Sequence, residues 1–244
     1  MIYEIAGLRI KIENKHPFTN KFCEKYLSAD QESDVAIVAN VTEEEFFEEK
    51  KLSPGYSDGY IENICLYRSL CSKLPVLNRM LLHAAILEYD GKAYAFLGRS
   101  GTGKSTHTNL WLQYLPKTSI VNGDKPILEI LPNNECLAYG TPWMGKERLG
   151  RNTVAPLKGF CFLEQAKENS IKKLSLSEAS SRLFSQVLLP TEEENAVATL
   201  ELLDRLLRNV PAYLLKCTIS EESVKHSFET LTGKNYEESK MDKE

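Results

Sequence analysis

The chain has 244 residues, 42% of them hydrophobic and 26% charged, with a net charge of −4. That is the composition of a globular protein with one large domain, or one domain and a small appendage. It argues against a general nucleic-acid binder, which needs a basic surface to neutralise phosphates. Apolar runs stay short of the ~18 residues that cross a bilayer, and Met1–Ile5 lacks the basic region and apolar core of a signal peptide, so no membrane partner is expected. Six cysteines, at 23, 65, 71, 136, 161 and 217, are scattered without a Cys-x-x-Cys pair. They read as buried free thiols in a reducing cytoplasm, not as a disulfide framework or zinc site.

Taken in order, Tyr3–Ile12 is strand-like with a turn at Gly7, and Asp34–Val41 is a Val/Ile/Ala-rich strand. Glu43–Lys51 is a surface helix or a loop. Turn signals at Ser53-Pro54-Gly55 and Ser57-Asp58-Gly59 mark a joint. Asn63–Lys73 is a helical candidate that Val76–His83 continues past the break at Pro75. Ala84–Tyr89 and Lys92–Leu97 are strands joined by Asp90-Gly91, a two-residue hairpin signal because both turn positions favour positive φ. A helix is expected from Lys104 to about Tyr114, then a short strand Ser119–Val121 leading into Asn122-Gly123-Asp124. Pro126–Leu131 and Glu135–Tyr139 form a second hairpin. Lys158–Leu163 is a buried strand, Ser177–Leu188 and Glu194–Arg208 are helices, Ala212–Lys216 a strand and Glu221–Leu231 a last helix. The expected division is a small α+β region over residues 1–75, a kinase-like domain over 76–232, and a polar, frayed tail over 233–244.

The chemistry is carried by Gly98-Arg99-Ser100-Gly101-Thr102-Gly103-Lys104-Ser105, which satisfies G-x-x-x-x-G-K-[ST] and stands between an expected strand and an expected helix. Glycines let the backbone curl so that its N–H groups converge on phosphate oxygens at a helix N-terminus. Lys104 can reach the β- and γ-phosphates, the Ser105 hydroxyl can ligate Mg²⁺, and Thr106 extends the contact surface. Such a loop needs an acidic group at the end of a neighbouring strand, and Asp124 fits, as metal ligand or as base. The antiparallel hairpin feeding the loop points to a mixed sheet, where a doubly wound fold would be parallel.

His83, the Asp90-Gly91 hairpin, Gly98–Ser105 and Asp124 together resemble the C-terminal kinase domain of HPr kinase/phosphorylase. That domain shares a mixed α/β nucleotide-binding fold with phosphoenolpyruvate carboxykinase. Val121–Pro126 and Gly140-Thr141-Pro142-Trp143-Met144-Gly145-Lys146 resemble a bacterial HPr-kinase-like subgroup that includes peptide serine kinases. The resemblance implies a site role for His83 near the transferred phosphate and raises the prospect of a homo-oligomer. It is incomplete in two respects. Only one aspartate stands where HPr kinase has two. The glycine-rich, Arg-containing signature of the reverse reaction is reduced to Gly145-Lys146, with Arg148 and Arg151 nearby.

A Gly-Thr-Pro-Trp turn after a strand can hold Lys146 near the phosphates while Trp143 packs. Arg148 and Arg151 either bind a substrate anion or lie on the surface. Lys125 can pair with a phosphate or lower the pKa of Asp124. Asn169 is either a cap or a neighbour of the nucleotide. The expected activity is a Mg²⁺/ATP kinase acting on a hydroxyl of a peptide, protein or small molecule. The alternative is a non-catalytic ATP-binding sensor.

Overall fold

The computed structural model describes residues 1–241. The N-terminal part comprises strands β1 (Ile2–Ile5), β2 (Leu8–Ile12) and β3 (Ile37–Ala39) and helices α1 (Phe18–Phe22), α2 (Glu43–Leu52) and α3 (Asp58–Ser72). Then follow β4 (Arg79–Leu81), β5 (Ala84–Tyr89), β6 (Lys92–Leu97), α4 (Lys104–Tyr114), β7 (Thr118–Asn122), β8 (Ile127–Ile130), β9 (Cys136–Tyr139) and β10 (Val154–Gln165). The chain continues through β11 (Ser170–Lys173), α5 (Leu176–Leu183), α6 (Glu193–Asn209), β12 (Ala212–Cys217), α7 (Glu221–Thr232) and α8 (Tyr236–Met241).

The architecture is mixed α/β. A three-stranded sheet, β1-β2-β3, accompanies a nine-stranded mixed sheet in which β4-β8-β9-β10-β6-β5-β7 follow one another and β12 joins β10 to β11. The twelve-residue β10 organises this larger sheet. Its start pairs antiparallel with β9 through Val154↔Tyr139. Its remainder runs parallel to β6 on one side and to β12 on the other. A bulge between Leu157 and Gly159 marks the change of partner, as glycine in a strand interior often does.

Side chains alternate across the central strands, and both faces are covered. Ala93, Ala95 and Leu97 of β6 join a cluster with Leu202, Leu203 and Leu206 of α6, while Tyr94 and Phe96 point to the opposite face against Trp111 of α4 and Phe228 of α7. The N-terminal sheet is not separately cored: Tyr3, Ile5, Ile10 and Ile37 share a cluster with Leu81, Ile127 and Trp143.

Several boundaries depart from the sequence reading. Val76–His83 does not continue a helix. Pro75–Leu77 forms one 3₁₀ turn, Asn78 takes a left-handed conformation, and β4 then pairs antiparallel with β8. Tertiary pairing outweighs helix propensity there. The turn signal at Ser57 is a helix start, because its side chain accepts from the Tyr60 N–H. Glu43–Leu52 is helical behind a reciprocal capping box of Thr42 and Glu45. The tail is not frayed over its described part: α8 packs Tyr236 at 1% exposure against Phe228, with ring centroids 6.0 Å apart. Residues 242–244, expected as part of that tail, lie outside the described residues. Five of the six cysteines are buried and all are free.

Helix α4 is tied to α7 by a buried polar triad. The Trp111 Nε1–H donates to Ser227 Oγ at 3.0 Å and to His107 Nε2 at 3.3 Å, and His107 Nε2 lies 3.0 Å from Ser227 Oγ. Burial pulls the His107 imidazole down from 6.5 to about 4. Between those values the unfolded chain binds a proton that the folded chain refuses. Stability is therefore undiminished above pH 6.5 and falls by about 3 kcal/mol as the pH approaches 4. Urea midpoints for wild type and His107→Gln across this range should converge at acid pH. Parallel pH curves would remove His107 from the linkage.

Candidate active site

The site forms where three strand ends meet. Strand β5 pairs antiparallel with both β6 and β7, with Ala84 opposite Leu97 and Ile86 opposite Asn122. The start of β5 therefore coincides with the ends of its two neighbours. This brings His83, just before β5, beside Gly98 after β6 and Asp124 after β7. The Ala84 N–H donates to the Asp124 carbonyl at 3.1 Å, and the His83 N–H donates to the Gln186 carbonyl at 2.7 Å.

Gly98–Gly103 curls from β6 into α4. Gly98, Gly101 and Gly103 have φ of 152°, 81° and 101°, conformations that side chains disfavour. The Thr102 N–H and hydroxyl both donate to the Arg99 carbonyl, at 3.2 and 2.9 Å. Lys104 folds back along the loop and donates from Nζ to the Gly98 carbonyl at 2.8 Å. Burial draws this ammonium below the usual lysine range, against the opposing pull of the Asp124 charge. The first N–H groups of α4, at Lys104, Ser105 and Thr106, have no intrahelical acceptor by construction.

A pocket of about 480 Å³ gathers most of the expected site residues. Ser100, Gly101, Gly103, Lys104, Ser105 and Thr106 line it from the loop, with His83, Asp124 and Lys146 from elsewhere. Gly98, Arg99 and Thr102 do not line this pocket; the first two supply the carbonyls that hold Lys104. On the other side of the loop a second pocket of about 500 Å³ shares Gly101, Gly103 and Thr106 and adds Thr102, Leu110, Gln165, Ala166, Thr218 and Ile219. Gln165 Nε2 donates to the Gly101 carbonyl at 3.1 Å, fixing that side of the loop to the end of β10.

Asp124 is the electrostatic centre. Its Oδ1 lies 3.2 Å from His83 Nε2, and its Oδ2 3.7 Å from Lys125 Nζ. Burial pushes its carboxyl up, but the His83 hydrogen bond and the charges of Lys125, His83 and Lys104 outweigh it, and the carboxyl sits below the usual range. Among the described residues no cluster of three or more His, Cys, Asp or Glu could cage a metal ion. The Asp124 carboxylate and the Ser105 hydroxyl do line one pocket. One carboxylate and one hydroxyl is a donor set that suits Mg²⁺, which keeps waters and takes its remaining oxygens from phosphates.

The turn that presents Asp124 is built by Asn122, for which the sequence offered no role. Its side chain is wholly buried. Oδ1 accepts from the N–H groups of Asp124 (2.9 Å) and Lys125 (2.7 Å), while Nδ2 donates to the carbonyl and hydroxyl of Thr141. The Thr141 hydroxyl in turn donates to the Lys125 carbonyl at 2.7 Å. One amide thus locks the Asp124 turn to Gly140–Lys146. The same loop is held from the N-terminal side by Trp143, whose ring lies 5.2 Å from Tyr67 and 6.5 Å from Phe22 between centroids. Lys146 is exposed at the pocket mouth. Arg151 is structural: it pairs with Glu88 at 2.9 Å and donates to Ser119 Oγ at 2.6 Å. Asn169 ties the start of α7, accepting from the Thr218 N–H at 2.8 Å and donating to Glu222, and does not line either pocket flanking the loop.

Residues 64–228 match the family described as SynChlorMet cassette protein ScmC. No curated protein matches the chain. Among solved structures, the HPr(Ser) kinase/phosphatase from Coxiella burnetii aligns over 53% of this chain and 88% of that one, at 14% identity and a TM-score of 0.28.

Replacing Asn122 by alanine leaves two part-buried N–H groups and the buried Thr141 carbonyl short of a partner. Asn122→Ala should lower stability by about 2–4 kcal/mol. Asn152→Ala, which removes an exposed amide bonded to the Lys25 carbonyl, should stay within about 0.5 kcal/mol. Chemical denaturation of both variants checks this, and similar small losses would refute the locking role.

Proposed function

The chain belongs to the ScmC family, and we propose that it is an ATP- and Mg²⁺-dependent kinase that transfers the γ-phosphoryl group to a hydroxyl. One observation carries the reading. A segment with the G-x-x-x-x-G-K-[ST] sequence, seated between a strand and a helix, shares a pocket with the His83–Asp124 pair. The N–H groups of the loop and the Lys104 ammonium would bind the phosphates. The pocket behind the loop, with Leu110, Ala166 and Ile219 as apolar surface and Gln165 and Thr218 as polar groups, would take the nucleoside.

Ser105 and Asp124 would hold the metal, whose contribution when bound is to neutralise charge on the phosphate oxygens. Lys146, at the mouth, would stabilise charge on the transferred group. In the transfer, the acceptor oxygen forms a bond to the γ-phosphorus, the bond to the β-bridging oxygen breaks, and ADP leaves. The acceptor proton goes to the His83–Asp124 pair. Because its neighbours keep Asp124 charged, this carboxylate is better suited to holding the metal and orienting the imidazole, and His83 to accepting the proton.

Mass spectrometry of hydroxyl acceptors incubated with the protein, Mg²⁺ and ATP tests the reading. A gain of roughly 80 daltons, the mass of a transferred phosphoryl group, should appear with wild type and vanish with Lys104→Ala. Asp124→Asn should cut turnover by about 10²–10⁴-fold while the nucleotide still binds. ATP binding without mass gain on any acceptor would favour a nucleotide sensor, and full turnover in Asp124→Asn would remove that residue from the mechanism.

A further inference from the structure

A larger cleft, about 770 Å³, adjoins the phosphate pocket on the side away from the nucleoside. One wall is the stretch from His16 to Tyr26, which includes α1. The other is Pro142, Met144, Gly145 and Arg148. Met144 and Gly145 also line the phosphate pocket, so this strip of chain borders both spaces. The strip is thin where Asp124 lies: a Cβ placed on Gly145 would come within 3.0 Å of the Asp124 Cβ, and Gly145 has a φ of 79°. An occupant of the cleft that passes over Gly145 would therefore approach the Asp124 carboxylate.

The lining gives the chemistry of that occupant. Phe18, Phe22, Pro142 and Met144 supply an apolar floor. Lys21, Lys25 and Arg148 stand exposed on the rim, against one carboxylate, Glu24. None of these three cations has a carboxylate partner among the described residues, whereas nearby cations do: Lys50 pairs with Asp58, Lys51 with Glu48 and Arg151 with Glu88. On a chain of net charge −4, three unpaired cations around an apolar floor mark a site for an anionic partner with apolar side chains. The cleft, about 770 Å³, is at the upper end of the volumes that small ligands fill, which suits a peptide segment better than a compact metabolite.

We propose that this cleft binds the phosphoryl acceptor, and that the acceptor is an acidic peptide segment laid between α1 and the Pro142–Arg148 loop with its hydroxyl directed over Gly145. This rests on the kinase reading for its consequence, but the binding can be measured without turnover.

The probe is a fluorescein-labelled peptide with one serine flanked by Leu, Asp and Glu, compared with its isostere carrying Asn and Gln. Anisotropy titrations use the full chain with Mg²⁺ and a non-hydrolysable ATP analogue. The acidic peptide should bind about ten-fold more tightly, as a few exposed ion pairs would give, and the preference should shrink as salt is raised. In the Lys21→Glu, Lys25→Glu double variant the ratio of the two affinities should fall to about one or invert. A ratio is insensitive to general damage from the substitutions.

Equal binding of the two peptides to wild type, or a preference that survives charge reversal, would overturn the proposal. Binding as expected, with no mass gain on the same peptide under ATP, would leave the cleft as a peptide site and overturn its assignment to the phosphoryl acceptor. Mass gain on small hydroxyl compounds with no peptide binding would leave the kinase standing and overturn the cleft.

Discussion

The antiparallel strand β5, wedged between two strands that run the other way, is the constraint on which the site depends. In a parallel sheet, strand ends on one edge are all C-terminal, and the intervening segments are far apart in sequence. Here the hairpin at Asp90-Gly91 reverses the chain, with Asp90 and Gly91 both at positive φ. The beginning of β5 then lies level with the ends of β6 and β7. A histidine before a strand thus meets an aspartate after one, with the glycine-rich loop on their flank. The Ala84 to Asp124 main-chain hydrogen bond fixes this meeting independently of either side chain.

From that junction the order spreads outward through polar groups that have no alternative partner. Asn122 is buried, and its side chain bonds to Asp124, Lys125 and Thr141. Lost bonds at a buried amide are costly, so the Asp124 turn and the Gly140–Lys146 loop move as one piece. Trp143 carries the linkage into the N-terminal region, through Tyr67 of α3 and Phe22 of α1. The N-terminal strands are thereby more than an appendage. They share a core with Leu81, Ile127 and Trp143, and α1 and α3 beside them hold the loop that borders both the pocket of Lys104 and Asp124 and the adjoining cleft. The shape of that cleft is set in part by packing among aromatic rings.

How far the sequence foretold this differs by residue. The strand before Gly98–Ser105 and the helix after it were legible, because the signals that make them are local. Asp90-Gly91 was legible for the same local reason, and with it the mixed sheet. Asp124 could be placed at a strand end, but not its pairing with His83, which depends on the registers of β5 with two neighbours. Asn122 gave no signal, since an asparagine before Gly-Asp reads as turn chemistry, and its value lies in burial against Thr141. Strand β4 was misread as helix because Val76–His83 is a short apolar run, for which periodicity cannot separate the two states. Strand β11 was missed because Ser170-Ile171-Lys172-Lys173 is mostly polar and exposed; it is an edge that only pairing with β12 reveals. The wall of the cleft was illegible too: Phe18–Phe22 is too short for a helical period, and the unpaired state of Lys21 and Lys25 is a fact of three dimensions.

The electrostatics of His83, Asp124, Lys104 and Lys125 decide how a single carboxylate could serve. Two carboxylates side by side raise one another, so that one is available as a base. A lone carboxylate among cations goes the other way, and the Asp124 carboxyl is held low by His83, Lys125 and Lys104 despite its burial. It is a firm anion and a poor proton acceptor. The imidazole of His83 stands against it, with Nε2 3.2 Å from Oδ1. Under the proposed transfer, the acceptor proton would go to this hydrogen-bonded pair. The proton then belongs to the pair and not to either residue. The pairing exists because the register of β5 sets the ring within hydrogen-bonding distance of the carboxylate.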